Sequence, residues 1–431
     1  MKKFAWKGLD DAGRTAALAR PRQRLAVDLL KGVRAIIDEV RDGGWPSLCN
    51  IARRIDGGEP ELVAVAPLAR EARRSLKPEV LAAIETAAHN IRTFHEASFP
   101  AEISVETAPG LRVRKVWRAI DRIGIYVPGG QTPLFSTLLM LAIPARVAGV
   151  SEIVAVTPPR PGGGLDRVIA LAAEISGIDA IWTVGGAQAI AALAFGAGPI
   201  QKVEKICGPG NAWVAEAKRL VSSETGGSAI DMPAGPSELM VIADDTADAR
   251  IVAADLLSQA EHDGSAQVLL VTTSERLLGE VEQQLDVQLA RLPRQPIART
   301  SLGSARLILV SDLKEAAEIA NLYAPEHLSL AVEDAEGLLP CIRNAGAVFA
   351  GPLAAETFGD YLAGSSHVLP TDGAARAWGG VSVHTFLKAM SVQSVTPDAA
   401  RRIAGPASLL ARLEALEAHA LAADARLERV Q

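Results

Sequence analysis

Cysteine is scarce in this chain of 431 residues: Cys49, Cys207 and Cys341 are an odd number, far apart, with no CxxC pair. A disulfide framework or a thiolate-rich zinc site is therefore not expected, and a reducing cytoplasm fits. Basic blocks are missing as well. With 44 Lys+Arg against 50 Asp+Glu the formal net charge is -6, and binding phosphates needs a basic face, so nucleic acid is not an expected partner. No apolar run reaches the ~18 residues of a spanning helix; the stretch Leu138–Val150 is interrupted by Pro144 and Arg146, so no membrane partner is expected either. Lys2 and Lys3 have no apolar segment behind them, which argues against a secretory leader. No Gly-x-Gly-x-x-Gly follows a strand-like segment, so the usual phosphate-binding fingerprint cannot assign a dinucleotide. An internal repeat is absent too. Composition excludes disorder, since 49% of residues are hydrophobic and 22% charged.

What is present is alternation. From Ile123–Val127 onward, short apolar runs (Ile153–Thr157, Ala180–Val184) alternate with helical segments (Ser136–Ala148, Leu165–Ser176, Ala187–Phe195, Ala212–Val221). A second series runs through Leu239–Ala243, Ala247–Gln259, Gln267–Thr272, Glu275–Leu292, Arg306–Val310, Lys314–Tyr323 and Leu328–Val332. Short turns between strand and helix imply parallel strands with crossover helices, hence α/β sheets covered on both faces. Two series predict two α/β domains, breaking near Pro233–Pro236. The first ~100 residues read as mainly helical, with three- and four-residue apolar spacing in Arg24–Arg41 and Lys77–Phe94. After Gly405-Pro406, Leu409, Leu413, Leu416, Ala420, Ala423 and Leu427 mark an amphipathic helix whose stripe must meet its own core or a partner subunit.

Of seven histidines, His89 and His95 read as surface or capping residues. His262 follows Gln259 by three residues, so both project from one face of a helix. Pro325 ends the preceding helix and puts Glu326-His327 on the loop before a strand. An acid beside an imidazole offers two general bases of different pKa, although an exposed charged pair in a turn fits that pattern equally. The stretch Phe349–Gly380 has little periodicity and carries Glu356, Asp360, His367 and Trp378, as functional loops do. Asp360, His262 and His419 would make an O,N,N set suited to zinc if the fold joined them. Gly208-Pro209-Gly210-Asn211 and Pro128-Gly129-Gly130 precede helices, where amides favour an anion, or are plain turns. Cys207 has no base beside it and reads as a small packing residue. These residues alone leave open a dehydrogenase, a metal hydrolase and a non-catalytic binding protein.

As a set, the residues resemble the histidinol dehydrogenase family. The matching segments are Tyr126–Gly130, Gly185–Ile190, Gly208–Asn211, Asp231–Glu238, Gln259–Asp263, Tyr323–Leu328, Gly359–Tyr361 and His367–Thr371, with Glu414 and His419 at the matching C-terminal spacing. They span residues ~115 to 420 in order. Ser365-Ser366 and His384 depart from the family pattern near the substrate loop. The nearest rival is a paralogue acting on another small hydroxylated compound.

The resemblance implies oxidation of L-histidinol through L-histidinaldehyde to L-histidine with two NAD reduced, the last step of histidine biosynthesis. It implies one zinc ion per subunit held by Gln259, His262, Asp360 and His419, the last from the other subunit of an intertwined homodimer. Glu326 and His327 are the implied catalytic pair, Tyr126, Gln188 and Asn211 the implied NAD contacts. Ser237, His327, Glu356, His367 and Glu414, with the metal ligands, line the implied substrate pocket. The expected fold has two incomplete Rossmann-like domains with parallel sheets, a helical N-terminal region and a C-terminal helical arm. Residues 24–103 with 238–380 are expected to form the metal and substrate domain, and 1–23 with 104–237 the NAD-binding domain. Residues 381–391 are expected to connect to an arm, 392–431, swapped into the partner.

Overall fold

The computed structural model describes residues 1–20, 27–129, 133–233 and 235–430; Gly130, Ala234 and the expected start of a helix at Arg24 lie outside them. The strands are β1 (Lys2–Ala5), β2 (Leu62–Ala64), β3 (Ile103–Ala108), β4 (Leu111–Ala119) and β5 (Arg122–Tyr126). Next come β6 (Glu152–Thr157), β7 (Ala180–Thr183), β8 (Lys205–Cys207) and β9 (Ala229–Ile230). The second half holds β10 (Glu238–Ala243), β11 (Gln267–Thr272), β12 (Arg306–Leu309), β13 (His327–Ala331), β14 (Ala347–Ala350) and β15 (Leu387–Val395).

Two six-stranded sheets carry the fold, ordered β2-β7-β6-β5-β8-β9 and β1-β12-β11-β10-β13-β14. Every neighbouring pair is parallel except β2 with β7. Apart from the edge strands β2 and β1, the chain enters each sheet at a central strand (β5, β10), winds outward one way and then returns to the other side (β8, β13). This is the doubly wound order of dinucleotide-binding folds, short of its outermost strand. The β5/β8 and β10/β13 gaps are the switch points where such folds open a crevice.

Strands buried on both faces need continuous apolar sequence, and β10 (Glu-Leu-Met-Val-Ile-Ala) and β11 (Gln-Val-Leu-Leu-Val-Thr) are buried at every position. Helices Phe135–Ala148 and Arg167–Ile175 cover one face of the first sheet, and Gly186–Phe195 and Ala212–Ser223 the other. The second sheet is covered by Ala249–Ala260 and Glu275–Leu289 on one face and Leu313–Tyr323 on the other.

The N-terminal segments attach in the opposite sense to the expected division. β1 pairs in parallel with β12, and Trp6 and Ala17 enter the core of the second sheet. β2 instead pairs with β7, and helices Val27–Ile55, Val65–Ser75 and Pro78–Ala97 pack on the first sheet. Periodicity shows which face of a helix is apolar, not which of two similar sheets receives it. Helix Val27–Ile55 is also two helices joined at Gly44, with φ 57 and ψ -138, ahead of Pro46.

A third sheet was not expected. β15 pairs along its whole length with β4, Leu387 opposite Ala119 through Val395 opposite Leu111, and β4 pairs with β3. So residues 387–395, expected to be a connector and the start of a helical arm, are strand. The alternation Leu111-Arg-Val-Arg in β4 was its one signal. Beyond it, helices Pro397–Leu413 and Glu417–Val430 form an antiparallel pair broken at Ala415, φ 59. Their apolar stripe stays largely uncovered in the single chain, with Leu409 at 70% and Leu413 at 84% exposure.

Candidate active site

The carboxyl ends of the first sheet meet the amino ends of the second. Tyr126 closes β5 and Gly208 follows β8. Opposite them, Ser237 and Glu326 immediately precede β10 and β13, and His327 opens β13. Gly208, Lys218 and Asp231 on one side and Ser237, His262, Glu326, His327, Asp360 and His367 on the other line one cavity of about 190 Å³.

Glu326 and His327 are buried, not an exposed pair in a turn. Parallel pairing sets Leu239 beside His327, which brings the Glu238 peptide against both groups. Its N–H donates to Glu326 Oε2 at 2.8 Å, and its carbonyl lies 3.1 Å from His327 Nδ1. A carbonyl only accepts, so Nδ1 carries the proton and Nε2 keeps its lone pair. Among the described residues Nε2 has no hydrogen-bond partner. Burial pulls the imidazole down to about 3, with only a partial offset from the bond to the Glu238 peptide, so the ring is neutral at pH 7. Burial drives the Glu326 carboxyl well above the usual carboxylate range, against the Glu238 N–H, and the charges of Glu238, Glu356 and Asp360 push the same way.

The acids around this dyad form a group able to hold a cation. His327, Glu356 and Asp360 each offer a donor atom within 4.8 Å of the others. Glu356 Oε1 is 3.8 Å from His327 Nδ1, and Asp360 Oδ1 is 4.0 Å from Nε2. Burial raises Asp360 to about 6 and Glu356 well above its ordinary value, each further affected by neighbouring charges. Glu356 Oε2 and both amide atoms of Gln259 are buried without a hydrogen bond among the described residues. Gln259 is wholly buried one turn before His262, whose Nδ1 is 2.8 Å from the Ser258 carbonyl and so holds the proton. Helix Ala249–Ala260 ends there, which places Gln259 and His262 at the amino edge of the second sheet. Buried, unpaired O and N donors amid close carboxyls are what a divalent cation satisfies.

His367 lines the same cavity with both ring nitrogens engaged: Nδ1 on the Asp360 carbonyl at 3.1 Å and Nε2 on Thr137 Oγ1 at 2.9 Å. It shapes the wall and holds the Asp360 segment rather than presenting a free atom. Glu414 and His419 are exposed on the C-terminal arm and do not line the cavity of their own chain.

The expected NAD contacts gather apart from this cluster. Gln188 and Asn211, with Gly32 and Trp213, line a groove of about 510 Å³. Tyr126 is buried, and its hydroxyl accepts from Gly186 N at 3.2 Å. Asp56 Oδ2 accepts from Gly185 N at 3.2 Å and Gln188 Nε2 at 3.0 Å, which leaves Gln188 Oε1 buried without a donor. Asn211 Oδ1 caps its helix, accepting from Trp213 N at 3.0 Å and Val214 N at 3.2 Å. The Gly185, Gly186, Trp213 and Val214 amides are therefore engaged by the protein's own oxygens.

The loop at Gly208 is held from two sides. Lys218 Nζ donates to its carbonyl at 2.7 Å, and Asp231 Oδ2 accepts from its N–H at 2.7 Å. Gly208 has φ +123, and a Cβ there would meet Tyr126 O at 2.2 Å, so only glycine fits. Cys207 is fully buried, with its thiol pushed up by burial, as a packing residue should be. Asp56 and Lys218 were not singled out from sequence, and Asp231 and Glu238 only as the ends of a matching segment, without a role. None has a local signature, because each acts on a peptide or side chain from another segment. His95 corrects its surface reading: it is wholly buried, neither nitrogen has a hydrogen-bond partner among the described residues, and burial lowers it to about 4.

A profile of the histidinol dehydrogenases matches residues 18–427. Histidinol dehydrogenase of Xanthomonas axonopodis pv. citri (strain 306) is 46% identical over 428 residues, covering 99% of each chain. That of Pasteurella multocida (strain Pm70) is 43% identical over 431 residues, covering 100% of this chain and 99% of its own. The chain belongs to the histidinol dehydrogenase family. The crystal structure of histidinol dehydrogenase from Elizabethkingia anophelis superposes with a TM-score of 0.95 at 39% identity, covering 100% of this chain and 98% of that one. Membership makes this protein a dehydrogenase, an NAD-dependent oxidoreductase. Among the described residues, no helix is long and apolar enough to cross a membrane.

Proposed function

We propose that the cavity oxidises L-histidinol through L-histidinaldehyde to L-histidine, the closing reaction of histidine biosynthesis, in the cytoplasm. The observation that carries this reading is the neutral His327, its Nε2 lone pair unpaired beside buried Glu326 in a cavity that both sheets line. His327 takes the hydroxyl proton at Nε2 while its Nδ1 proton stays on the Glu238 carbonyl. Glu326, with one oxygen on the Glu238 N–H, takes a proton from water as it adds to the aldehyde. Burial, the largest cause of its upward shift, makes that carboxylate a stronger proton acceptor than an exposed one. NAD supplies the hydride acceptor, one molecule for each of the two oxidations.

Tyr126, Gln188 and Asn211 are assigned to NAD, which makes the first sheet its platform. Gln259, His262 and Asp360, with His419 from a second copy of the chain, are assigned to zinc. Bound there, zinc supplies a Lewis acid that grips and orients the amine and imidazole of histidinol. Ser237, Glu356, His367 and Glu414 complete the assigned substrate wall, Glu414 from the second copy. The uncovered Leu409 and Leu413 on the arm support an intertwined homodimer.

The test is NADH formation from L-histidinol by zinc-loaded protein. Two NADH per histidinol consumed is the expected yield. One per histidinol, or none while other small alcohols are oxidised, removes the assignment.

A further inference from the structure

Both proposed catalytic groups depend on the backbone of one residue, Glu238, and the Glu238 side chain depends on an arginine more than two hundred residues away. Arg20 Nε donates to Glu238 Oε1, and Nη2 donates to Oε2 at 2.8 Å, a bidentate fork on a carboxylate that is 1% exposed. The same Nη2 reaches the Tyr323 carbonyl at 2.9 Å and the Ala324 carbonyl at 3.3 Å. These two carbonyls close helix Leu313–Tyr323, where the chain turns through Ala324 at φ 54 and ψ 68. A helix end leaves its last carbonyls without partners, and Arg20 fills that role. The guanidinium also stacks 3.8 Å over the Tyr323 ring and lies 3.6 Å from Asp372 Oδ1.

We infer that Arg20 is a positioning residue for the reaction: it locks the amino ends of β10 and β13 together, so that the Glu238 peptide holds Glu326 and His327 in working orientation. On one side it fixes Glu238, whose N–H and carbonyl engage both groups. On the other it fixes the two peptides leading into Pro325 and Glu326. Arg20 does not line the reaction cavity; it borders a separate cavity of about 560 Å³ with Trp6, Arg14 and Arg376. Its effect must therefore pass through the backbone. Lysine, a point charge without the planar fork, loses the bidentate grip on the Glu238 carboxylate.

The inference rests on the assignment of Glu326 and His327, and the experiment separates the two. Zinc-loaded, full-length Arg20→Ala and Arg20→Lys are compared with wild type for kcat, KM, metal content and the ¹⁵N-edited Nδ1–H resonance of His327. The expected loss is about 10- to 100-fold in kcat, the range for removing a group that orients a working residue, with the histidinol KM and metal content unchanged. The Nδ1–H proton exchanges faster in both variants. Methylguanidinium, entering through the outer cavity, restores Arg20→Ala but not Arg20→Lys.

Wild-type kcat and proton exchange in folded Arg20→Ala overturn the inference, as does a loss that follows metal content instead. If Arg20→Ala does not fold, Arg20→Met with Glu238→Gln removes both charges and leaves no lone buried carboxylate; lowered kcat with fast exchange in that protein supports the clamp, and wild-type behaviour overturns it. If wild type itself makes no NADH from histidinol, the proposed function fails, and the proton resonance still decides the clamp.

Discussion

The carbonyl of Glu238 sits 3.1 Å from Nδ1 of His327. That single contact selects the tautomer, since the other ring nitrogen must then carry the free lone pair. It exists because parallel pairing puts Leu239 beside His327, so the strand order sets the protonation of the base.

Replacing His327 by Asn keeps a donor for the Glu238 carbonyl but removes the free nitrogen. We expect kcat with histidinol to fall about 10²- to 10⁴-fold, the range for losing a general base, with protein stability nearly unchanged. Glu326→Gln is expected to release histidinaldehyde and give less than two NADH per histidinol. Steady-state NADH formation with aldehyde trapping reads both.

Removing the metal should abolish turnover and lower the thermal midpoint, because close buried carboxyls at Glu326, Glu356 and Asp360 lose the cation that offsets them. Dialysis against a chelator, then readdition of zinc, is the measurement. Full activity in protein shown to be metal-free refutes the assignment.

Asp56 accepts from the Gln188 amide N–H, which fixes the amide and leaves Oε1 as the oxygen to meet NAD under the proposed assignment. Asp56→Leu removes that acceptor and frees the amide to rotate. Loss of one such hydrogen bond, about 1 kcal/mol, weakens NAD binding roughly fivefold. Titration of tryptophan fluorescence with NAD measures it, and an unchanged dissociation constant counts against the NAD contact.

His95 gives the fold an acid sensitivity. Its folded value is depressed to about 4 from 6.5. Between those limits the unfolded chain binds a proton that the buried ring refuses, so stability falls as pH drops through that window. A shift of this size corresponds to about 3 kcal/mol. Urea denaturation of wild type and His95→Leu across the range should show the variant losing less stability at the acid end; parallel curves would exclude the assignment.

Sharing of sites between subunits is testable by mixing. His419→Asn and His327→Asn are each expected to be inactive as homodimers. After subunit exchange, hybrids regain one intact site, so partial activity returns. Proven exchange without recovery would place His419 outside the metal site.

Much of the site was legible because its parts are local. Pro325 ends a helix just before Glu326-His327, and Gln259 and His262 stand three residues apart at one helix end, although His262 lies in the turn just past the helix rather than on its face. The alternating strands and helices of both sheets could be read for the same reason, since period and punctuation are properties of short segments. His95 was misread although the period carries it: it follows Ile91 by four residues, on the face that buries Ile84, Ala87 and Ala88, and its polar residue type rather than its position suggested exposure.

By itself, the amino-acid order determined two parallel α/β series, a helical arm with an apolar stripe, and which acids, amides and imidazoles are available for chemistry. Only the tertiary structure decided which sheet receives β1 and which β2, that Leu387–Val395 is a strand, and that Arg20 reaches Glu238. The reason is physical. Local pattern sets the shape and apolar face of each element, but choice of partner is a competition among surfaces of similar chemistry, settled by the fit of the whole core.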